Sequence, residues 1–172
     1  VFTRMLAGPM DYTPGVLSLT GRNGQEIPGT LARQLALYVA LYSPIQMVAD
    51  LPQHYAQHAE AFEFIREVAV DWDESRVLAG EVGEYVAIAR NQRDASDWFL
   101  GAINDRSART LALKLDFLES GVRYRARVYR DDKRAGWRGP ERFRFVREEK
   151  IVTRDDVMTL RLAAGGGAAV RF

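Results

Sequence analysis

The chain has 172 residues, of which 47% are hydrophobic and 27% charged, and this composition is typical of a globular protein rather than a disordered or fibrous one. It contains no cysteine, which excludes disulfides, thiolate metal sites and a thiol nucleophile. The formal net charge of +1 argues against a polyanion as the partner of the whole chain. No apolar run approaches the roughly 20 residues that cross a bilayer, so we predict no membrane segment.

The charges are unevenly distributed along the chain. Residues 44–90 contain nine acids and three arginines, a net charge of −6. Residues 121–150 contain eleven basic residues and five acids, a net charge of +6. An acidic and a basic segment of equal size favour pairing of the chain either with itself or with a second copy.

The first fifty residues predict one strand, one loop and one helix. Phe2–Ala7 is predicted to be a short buried strand, and the glycines and prolines of residues 8–15 interrupt regular structure. Thr30 is the predicted N-cap of a helix that ends before Pro44. Because a single strand has no ladder partner, we interpret this segment as the last βα unit of a larger α/β structure. Without that structure, the broadly apolar helix is expected to expose an apolar patch.

The hydrophobic pattern then changes to a period of two. Two short helices are predicted at 53–58 and 60–67, and apolar and polar residues alternate in Leu111–Phe117 and Val122–Val128. Further strands are predicted at 68–72, 84–89, 98–103, 143–146, 158–162 and 168–172. Together these strands predict an antiparallel β-sandwich.

Five stretches of the sequence have motifs typical of one enzyme family. They are FTRMLAGPMDYTPG from Phe2, GTLARQLALYVALYSPIQMVADLP from Gly29, FEFIREVAVDWDESRVLAGEVGEYVAIAR from Phe62, DWFLGAIND from Asp97 and LRLAAGGGAAVRF from Leu160. In these motifs the chain resembles glycoside hydrolase family 97, which includes α-glucosidases and α-galactosidases. The resemblance implies an α+β fragment in which residues 1–51 are the last βα unit of a catalytic (β/α)8 barrel. Residues 52–172 would then be the C-terminal antiparallel β-sandwich, a domain linked to oligomerisation.

The resemblance also implies an activity for the parent protein. Family members hydrolyse α-linked glucosides or galactosides with a bound calcium ion, and glycoside hydrolysis uses two carboxyl groups about the scissile bond. The resemblance places these carboxylates and the calcium ligands before Val1, so we assign no catalytic or metal-binding residue here and expect the fragment to be inactive alone. It further implies a homo-oligomer in the periplasm or outside the cell. Glucoside and galactoside substrates, and inverting and retaining mechanisms, remain alternatives.

The loop after the first predicted strand contains the candidate substrate-binding residues. In the family this loop lies at the rim of the pocket, so the resemblance assigns substrate contact to Asp11, Tyr12 and Thr13, with Arg4 as a secondary candidate. The alternative is structural, because Asp and Thr in turns bracketed by glycine and proline often accept hydrogen bonds from backbone amides.

Two polar clusters have structural interpretations that we favour. His54 and His58 have the spacing of zinc ligands on one helix face, but no third ligand is evident, so we predict surface histidines. In the sequence DWDE, Asp71 and Asp73 are predicted to be solvated on one strand face, with Trp72 buried on the other.

Arginine and tryptophan residues suggest two binding alternatives. Arginines 123, 125 and 127 line one strand face beside aromatic residues, a pattern that can bind nucleic acid. We instead predict that this stripe pairs with the acidic segment or with another subunit, and we predict no nucleic-acid partner. The alternative to an enzyme fragment is an accessory β-sandwich for oligomerisation or carbohydrate binding, with an exposed Trp98 or Trp137 stacked on sugar rings.

Overall fold

The computed structural model describes all residues from Val1 to Phe172. Its three α-helices are α1 (Leu31–Ala40), α2 (Pro52–Gln57) and α3 (Ala59–Glu67). Its eight strands are β1 (Trp72–Glu81), β2 (Tyr85–Gln92), β3 (Trp98–Asn104), β4 (Arg109–Lys114), β5 (Tyr124–Asp131), β6 (Phe145–Val152), β7 (Val157–Leu162) and β8 (Gly167–Arg171). Two 3-10 helices span Arg4–Ala7 and Gly139–Phe143. None of the helices combines the length and the apolar character needed to span a membrane.

The strands form two antiparallel sheets that pack face to face. The larger sheet has six strands in the order β1-β2-β3-β8-β5-β6, and the smaller sheet pairs β4 with β7. A cluster of 19 buried residues fills the space between them, with Leu113 and Leu160 from the small sheet against Val128 and Val170 from the large one. The alternation predicted for the two long apolar runs therefore buries one face of each strand, and the predicted antiparallel sandwich is confirmed.

Helices α1 and α3 cover the opposite face of the large sheet. A second buried cluster joins Leu35 of α1 and Phe64 of α3 to Phe99 of β3 and Tyr129 of β5. The Phe64 ring makes edge-to-face contacts with the rings of Phe99 and Tyr129, at centroid distances of 6.2 and 5.3 Å. The expectation that α1 exposes an apolar patch is therefore wrong, because the sandwich itself covers the apolar face of this helix.

A glycine in β3 sets how closely α1 approaches the sheet. A Cβ atom at Gly101 would lie 2.7 Å from both the Ala36 carbonyl oxygen and the Val39 Cβ. The N-terminus of α1 is also fixed as predicted, because the Arg33 backbone N–H donates to the Thr30 hydroxyl at 3.2 Å. Helix and sheet thus meet through small residues, without room for an additional methyl group.

Two predicted strands are wrong. Phe2–Ala7 is not a strand: the segment contains the exposed 3-10 helix Arg4–Ala7, in which Leu6 is 85% exposed. No strand of the chain lies beside this segment, so its backbone bonds locally, from the Leu6 N–H to the Thr3 carbonyl. At 68–72, helix α3 extends to Glu67, and β1 begins only at Trp72.

The acidic and basic segments pair within the chain. Arg127 of β5 contacts the carboxylates of Glu63 and Glu67 on α3, at 3.1 and 2.8 Å. Arg147 of β6 reaches Glu63 at 2.9 Å, and Arg171 of β8 reaches Glu67 at 2.8 Å. The predicted pairing of the arginine stripe with the acidic segment is therefore confirmed for Arg127, and these bonds attach α3 to the sheet. Arg123 and Arg125 are exposed and form no ion pair.

Candidate functional site

The loop with the candidate substrate-binding residues runs beside the segment that follows α1. Tyr12 forms a parallel bridge with Gln46, and the Met47 N–H donates to the Tyr12 carbonyl at 3.3 Å. Two residues further on, the Ala49 N–H donates to the Pro14 carbonyl at 3.1 Å. These bonds hold the loop as a short ribbon, although neither partner was predicted to be a strand.

The three predicted substrate contacts differ in their surroundings. Asp11 and Thr13 have exposed side chains, whereas Tyr12 is half-buried. Burial raises the pKa of the Tyr12 phenol, and the positive charge of Arg33 partly offsets this. Arg4 is exposed and donates to the Gly8 carbonyl at 3.3 Å. Substrate contact by Asp11, Tyr12 and Thr13 stays a prediction.

Two tyrosines fix the base of this loop. The Tyr55 hydroxyl donates to the Gly15 carbonyl at 3.1 Å and accepts the Asp50 N–H at 2.8 Å. Gly15 has φ +84°, and a Cβ there would collide with the Tyr38 hydroxyl, so both the backbone conformation and the space require glycine. The loop therefore passes from the partly exposed residues 11–13 into the core at one fixed point, Gly15.

Arg142 is a positioning residue that sequence reasoning missed. It is 5% exposed, and its Nη1 donates to the carbonyls of Leu19 and Ile27 at 2.8 and 3.1 Å. Its Nη2 pairs with Glu26 at 3.1 Å. A single side chain from the sandwich thus holds both arms of the turn that precedes α1. Arg142 lies in a run of arginines, so its sequence neighbourhood contains no signal that distinguishes it.

Asp131 connects β5 to the turn between β7 and β8, at the N-terminal end of α1 beside its N-cap residue Thr30. One carboxylate oxygen accepts the N–H groups of Ala163 and Gly167, at 2.8 and 3.0 Å, which fixes the turn between β7 and β8. The other oxygen is buried and has no hydrogen-bond partner. Burial raises the pKa of this carboxyl to about 6, although the Thr30 hydroxyl, the two N–H donors and Arg161 act in the opposite direction.

We expect Asp131→Asn to change how stability depends on pH. Because this pKa is raised, the folded protein binds more protons than the unfolded chain between about pH 4 and 6. The contribution of Asp131 to the free energy of unfolding therefore falls as pH rises through this window. A shift of about two pKa units corresponds to at most ~3 kcal/mol. The free energy of unfolding of the variant, minus that of the wild type, should therefore increase from pH 4 to pH 7 in urea titrations.

The neighbouring carboxyl provides a control for the Asp131 experiment. Hydrogen bonding by the Arg134 N–H lowers the pKa of Asp132. For Asp132→Asn, the free energy of unfolding of the variant minus that of the wild type should therefore fall as pH rises. A difference for Asp131→Asn that stays constant from pH 4 to pH 7 would contradict the prediction.

The histidine pair and the DWDE cluster are structural. His58 separates α2 from α3 and stacks on Phe143 at 5.6 Å, while His54 Nδ1 lies 2.5 Å from an Asp50 oxygen, so the two do not share one helix face as their spacing suggested. Nowhere in the chain do three or more His, Asp or Glu side chains gather as metal ligands. These residues do not form a calcium site, and the calcium prediction concerns ligands outside this chain.

The two aspartates of DWDE pair with one arginine. Asp71 and Asp73 both face Arg93, at 2.7 and 3.5 Å, and Trp72 is buried against Phe99 on the other side of the strand. The predicted exposed acids and buried tryptophan are therefore confirmed.

The two candidate sugar-stacking tryptophans have different positions. Trp98 is 7% exposed and packs on Phe117 at 4.9 Å, so it lies in the core and its predicted exposure is wrong. Both faces of β3 are covered, one by helices and the other by the small sheet. Trp137 is half-exposed, with the guanidinium groups of Arg106 and Arg138 over its ring at 4.9 and 3.9 Å.

These observations define a β-sandwich domain whose sheet face carries a helix and an anchored loop. Residues 71–172 match the family described as "Glycosyl-hydrolase 97 C-terminal, oligomerisation". This match covers more than half of the chain, and the chain therefore belongs to glycoside hydrolase family 97.

Relatives are similar along almost the whole chain. A retaining α-galactosidase of Bacteroides thetaiotaomicron is 36% identical over 99% of the chain, and a probable retaining α-galactosidase of Streptomyces bingchenggensis is 32% identical over 98%. Among solved structures, a glycoside hydrolase family 97 enzyme from Pseudoalteromonas sp. strain K8 has a TM-score of 0.93 at 47% identity, over 98% of the chain. A β-arabinopyranosidase has a TM-score of 0.81 at 26% identity. The chain spans about a quarter of these proteins, from 24% to 27% of their length.

Proposed function

We propose that the chain is the C-terminal part of a glycoside hydrolase that cleaves α-linked galactosides or glucosides. In this proposal, residues 1–51 are the C-terminal end of its catalytic (β/α)8 barrel, and residues 52–172 are the C-terminal sandwich. The observation that carries the proposal is the TM-score of 0.93 over 98% of the chain, because a match of that extent includes the loop and α1 as well as the sandwich.

The relatives support two substrate classes. The names of two relatives indicate retaining action on α-galactosides. The Pseudoalteromonas enzyme is described in complex with acarbose and with panose, and both compounds contain α-linked glucose-type units. Galactoside and glucoside therefore both enter the proposal, with a retaining mechanism favoured by the galactosidase relatives.

The geometry suggests how this part of the chain serves catalysis. Tyr55 and Arg142 hold the two ends of the loop, and the exposed Asp11 and Thr13 lie on the segment before Gly15. The sandwich would thus position a substrate-facing rim without taking part in bond cleavage. The two catalytic carboxylates and the calcium ligands belong, in this proposal, to the barrel outside the 172 residues, and the parent acts in the periplasm or outside the cell.

The second candidate function is an accessory module for assembly. The family description names oligomerisation for residues 71–172, so we propose a homo-oligomeric parent. The stacking of neutral sugars is a weaker candidate, because Trp98 is buried and Trp137 has two guanidinium groups over its ring.

Hydrolysis assays test the enzyme proposal directly. We would assay p-nitrophenyl α-galactoside and α-glucoside, with calcium and with a chelator, using the 172-residue chain and the chain extended upstream through its full reading frame. Activity of the extended chain alone is expected. Activity in neither would favour the accessory module, and turnover by the short chain would contradict our placement of the carboxylates.

Variants in the extended enzyme test the rim. Asp11→Asn and Tyr12→Phe are expected to raise KM about tenfold if each removes one substrate hydrogen bond. Asp116→Asn, an exposed substitution in the sandwich, should leave KM unchanged. If KM is unchanged in both variants, Asp11 and Tyr12 do not contact the substrate.

A further inference from the structure

The strand-connecting loops at one end of the sandwich form a cleft against the start of α1. The cleft has a volume of about 510 Å³, and Gly29, Arg33, Asp105, Arg106, Trp137 and Gly165 line it. We call it the loop-end cleft. Its volume lies within the range of small-molecule sites, about 300 to 1,000 Å³.

Backbone hydrogen bonds fix the walls of the loop-end cleft. The Gly29 N–H donates to the Trp137 carbonyl at 3.1 Å, and the Gly165 N–H donates to the Asp105 carbonyl at 2.5 Å. Gly165 has φ +63°, and a Cβ there would lie 2.5 Å from the Trp137 Cβ. The loops therefore touch each other directly and hold the cleft open as one rigid unit.

Two arginines that line the loop-end cleft, and a third beside it, have no acidic partner. Ion pairs occupy most arginines of the large sheet. In contrast, Arg33 of α1 and the loop residues Arg106 and Arg138 have no carboxylate within 4.0 Å of their nitrogens. Arg33 is half-buried, and burial lowers the pKa of its guanidinium. A half-buried cation without a partner is costly, and an anion in the cleft would offset that cost.

Trp137 orients two of these cations. The guanidinium carbon of Arg106 lies 4.9 Å from the ring centroid, and that of Arg138 lies 3.9 Å from it. Both guanidinium groups therefore lie within cation–π distance of the ring. Arg106, the one of the two that lines the cleft, has no ion-pair partner, so its N–H donors are available to an oxyanion. The same contacts reduce the ring area left for a neutral sugar.

The acidic residue of the cleft does not cancel this charge. Asp105 accepts the Ser107 N–H at 2.8 Å and pairs with Arg109 at 3.0 Å. Arg109 also pairs with Glu84 at 3.2 Å, so it compensates Asp105 only in part. Among the residues that line the cleft, the two unpaired arginines Arg33 and Arg106 still exceed the single acid Asp105.

We propose that the loop-end cleft binds an oxyanion, a carboxylate or sulfate group, carried on a sugar. The charge and the guanidinium forks specify the oxyanion. The volume leaves room for a body of sugar size beside the oxyanion, because a lone sulfate would leave most of 510 Å³ unfilled. The choice of a sugar for that body rests on the proposed function, whereas the oxyanion rests on the arginines; the test measures binding and not hydrolysis, so the two can fail separately.

Calorimetric titration of the 172-residue chain with sodium galacturonate, galactose and sodium sulfate tests the proposal. Galacturonate is expected to bind and galactose not to bind. Arg106→Gln, an exposed substitution, should weaken galacturonate binding about tenfold, through loss of one charge-assisted fork. Arg123→Gln removes an equally exposed charge before β5 and serves as the matched control.

The outcomes separate the two ligand sources. If galacturonate binds more tightly than sulfate, and only Arg106→Gln weakens its binding, the ligand is an acidic sugar. If the two anions bind equally tightly, the cleft is an oxyanion site that does not recognise the sugar. No binding of either anion, or equal weakening by Arg123→Gln, overturns the proposal, because general electrostatic attraction would then account for the affinity. Hydrolytic activity of the parent is unaffected by any of these results.

Discussion

Gly101→Ala is expected to lower the free energy of unfolding by about 3 kcal/mol, near the upper end of what overpacking costs. The new methyl group would lie 2.7 Å from the Ala36 carbonyl oxygen and the Val39 Cβ, so α1 must move away from β3. Replacing a glycine by alanine inside a strand normally raises the free energy of unfolding, so a loss of this size would be due to the steric conflict. Urea unfolding followed by circular dichroism would measure the change.

A second strand glycine is the control for Gly101→Ala. A Cβ at Gly80 of β1 would meet the Tyr85 carbonyl oxygen at 3.4 Å and the Val86 Cγ2 at 3.7 Å, which are ordinary contacts. Gly80→Ala should therefore change the free energy of unfolding by less than about 1 kcal/mol. Equal losses in the two variants would mean that α1 does not lie as close to β3 as described.

Arg142→Met is expected to lower the free energy of unfolding by about 3 kcal/mol and to loosen the loop before α1. Methionine keeps most of the side-chain volume but leaves the buried Leu19 carbonyl and the partly buried Ile27 carbonyl without their shared donor. The amide exchange rate of Ile27 measures this loosening locally, because the Ile27 N–H donates to the Leu19 carbonyl at 2.9 Å within the turn. Exchange at Ile27 should accelerate more than exchange at core amides of β3.

A neighbouring arginine separates the loss of these bonds from the loss of charge. Arg144 is partly exposed and pairs with Glu141 three residues away, so Arg144→Met removes the same charge without touching the loop. It should cost less than about 1 kcal/mol. If Ile27 exchanges at the wild-type rate in Arg142→Met, then Arg142 does not hold the turn.

Local signals in the sequence predicted much of this fold. Helix α1 followed from its apolar spacing and from Thr30, whose capping bond involves a residue only three positions away. The strands of the small sheet followed from strict alternation, because one face is buried and the other is exposed. In both cases the information that determines the element lies within the element itself.

The missed features depend on distant partners. Arg142 is recognisable only through acceptors 115 and 123 residues away. Trp98 could not be assigned to the core without knowing that β3 is covered on both faces. In the candidate site, residues 11–13 were located correctly on a loop before α1, but the ribbon with residues 45–49 depends on backbone pairing that leaves no sequence pattern.

The buried cluster shared by α1 and the large sheet limits which segments can be exchanged between members of this enzyme family. Its 13 buried residues include Leu17 and Leu35 before the sandwich and Phe99, Tyr129 and Ala169 within it. A sandwich grafted from one relative onto another at residue 71 would place a foreign sheet under the resident α1. Such a chimera should fold only if its donor also leaves the space that Gly101 provides here, so the inheritable module is the sandwich together with the helix that it covers.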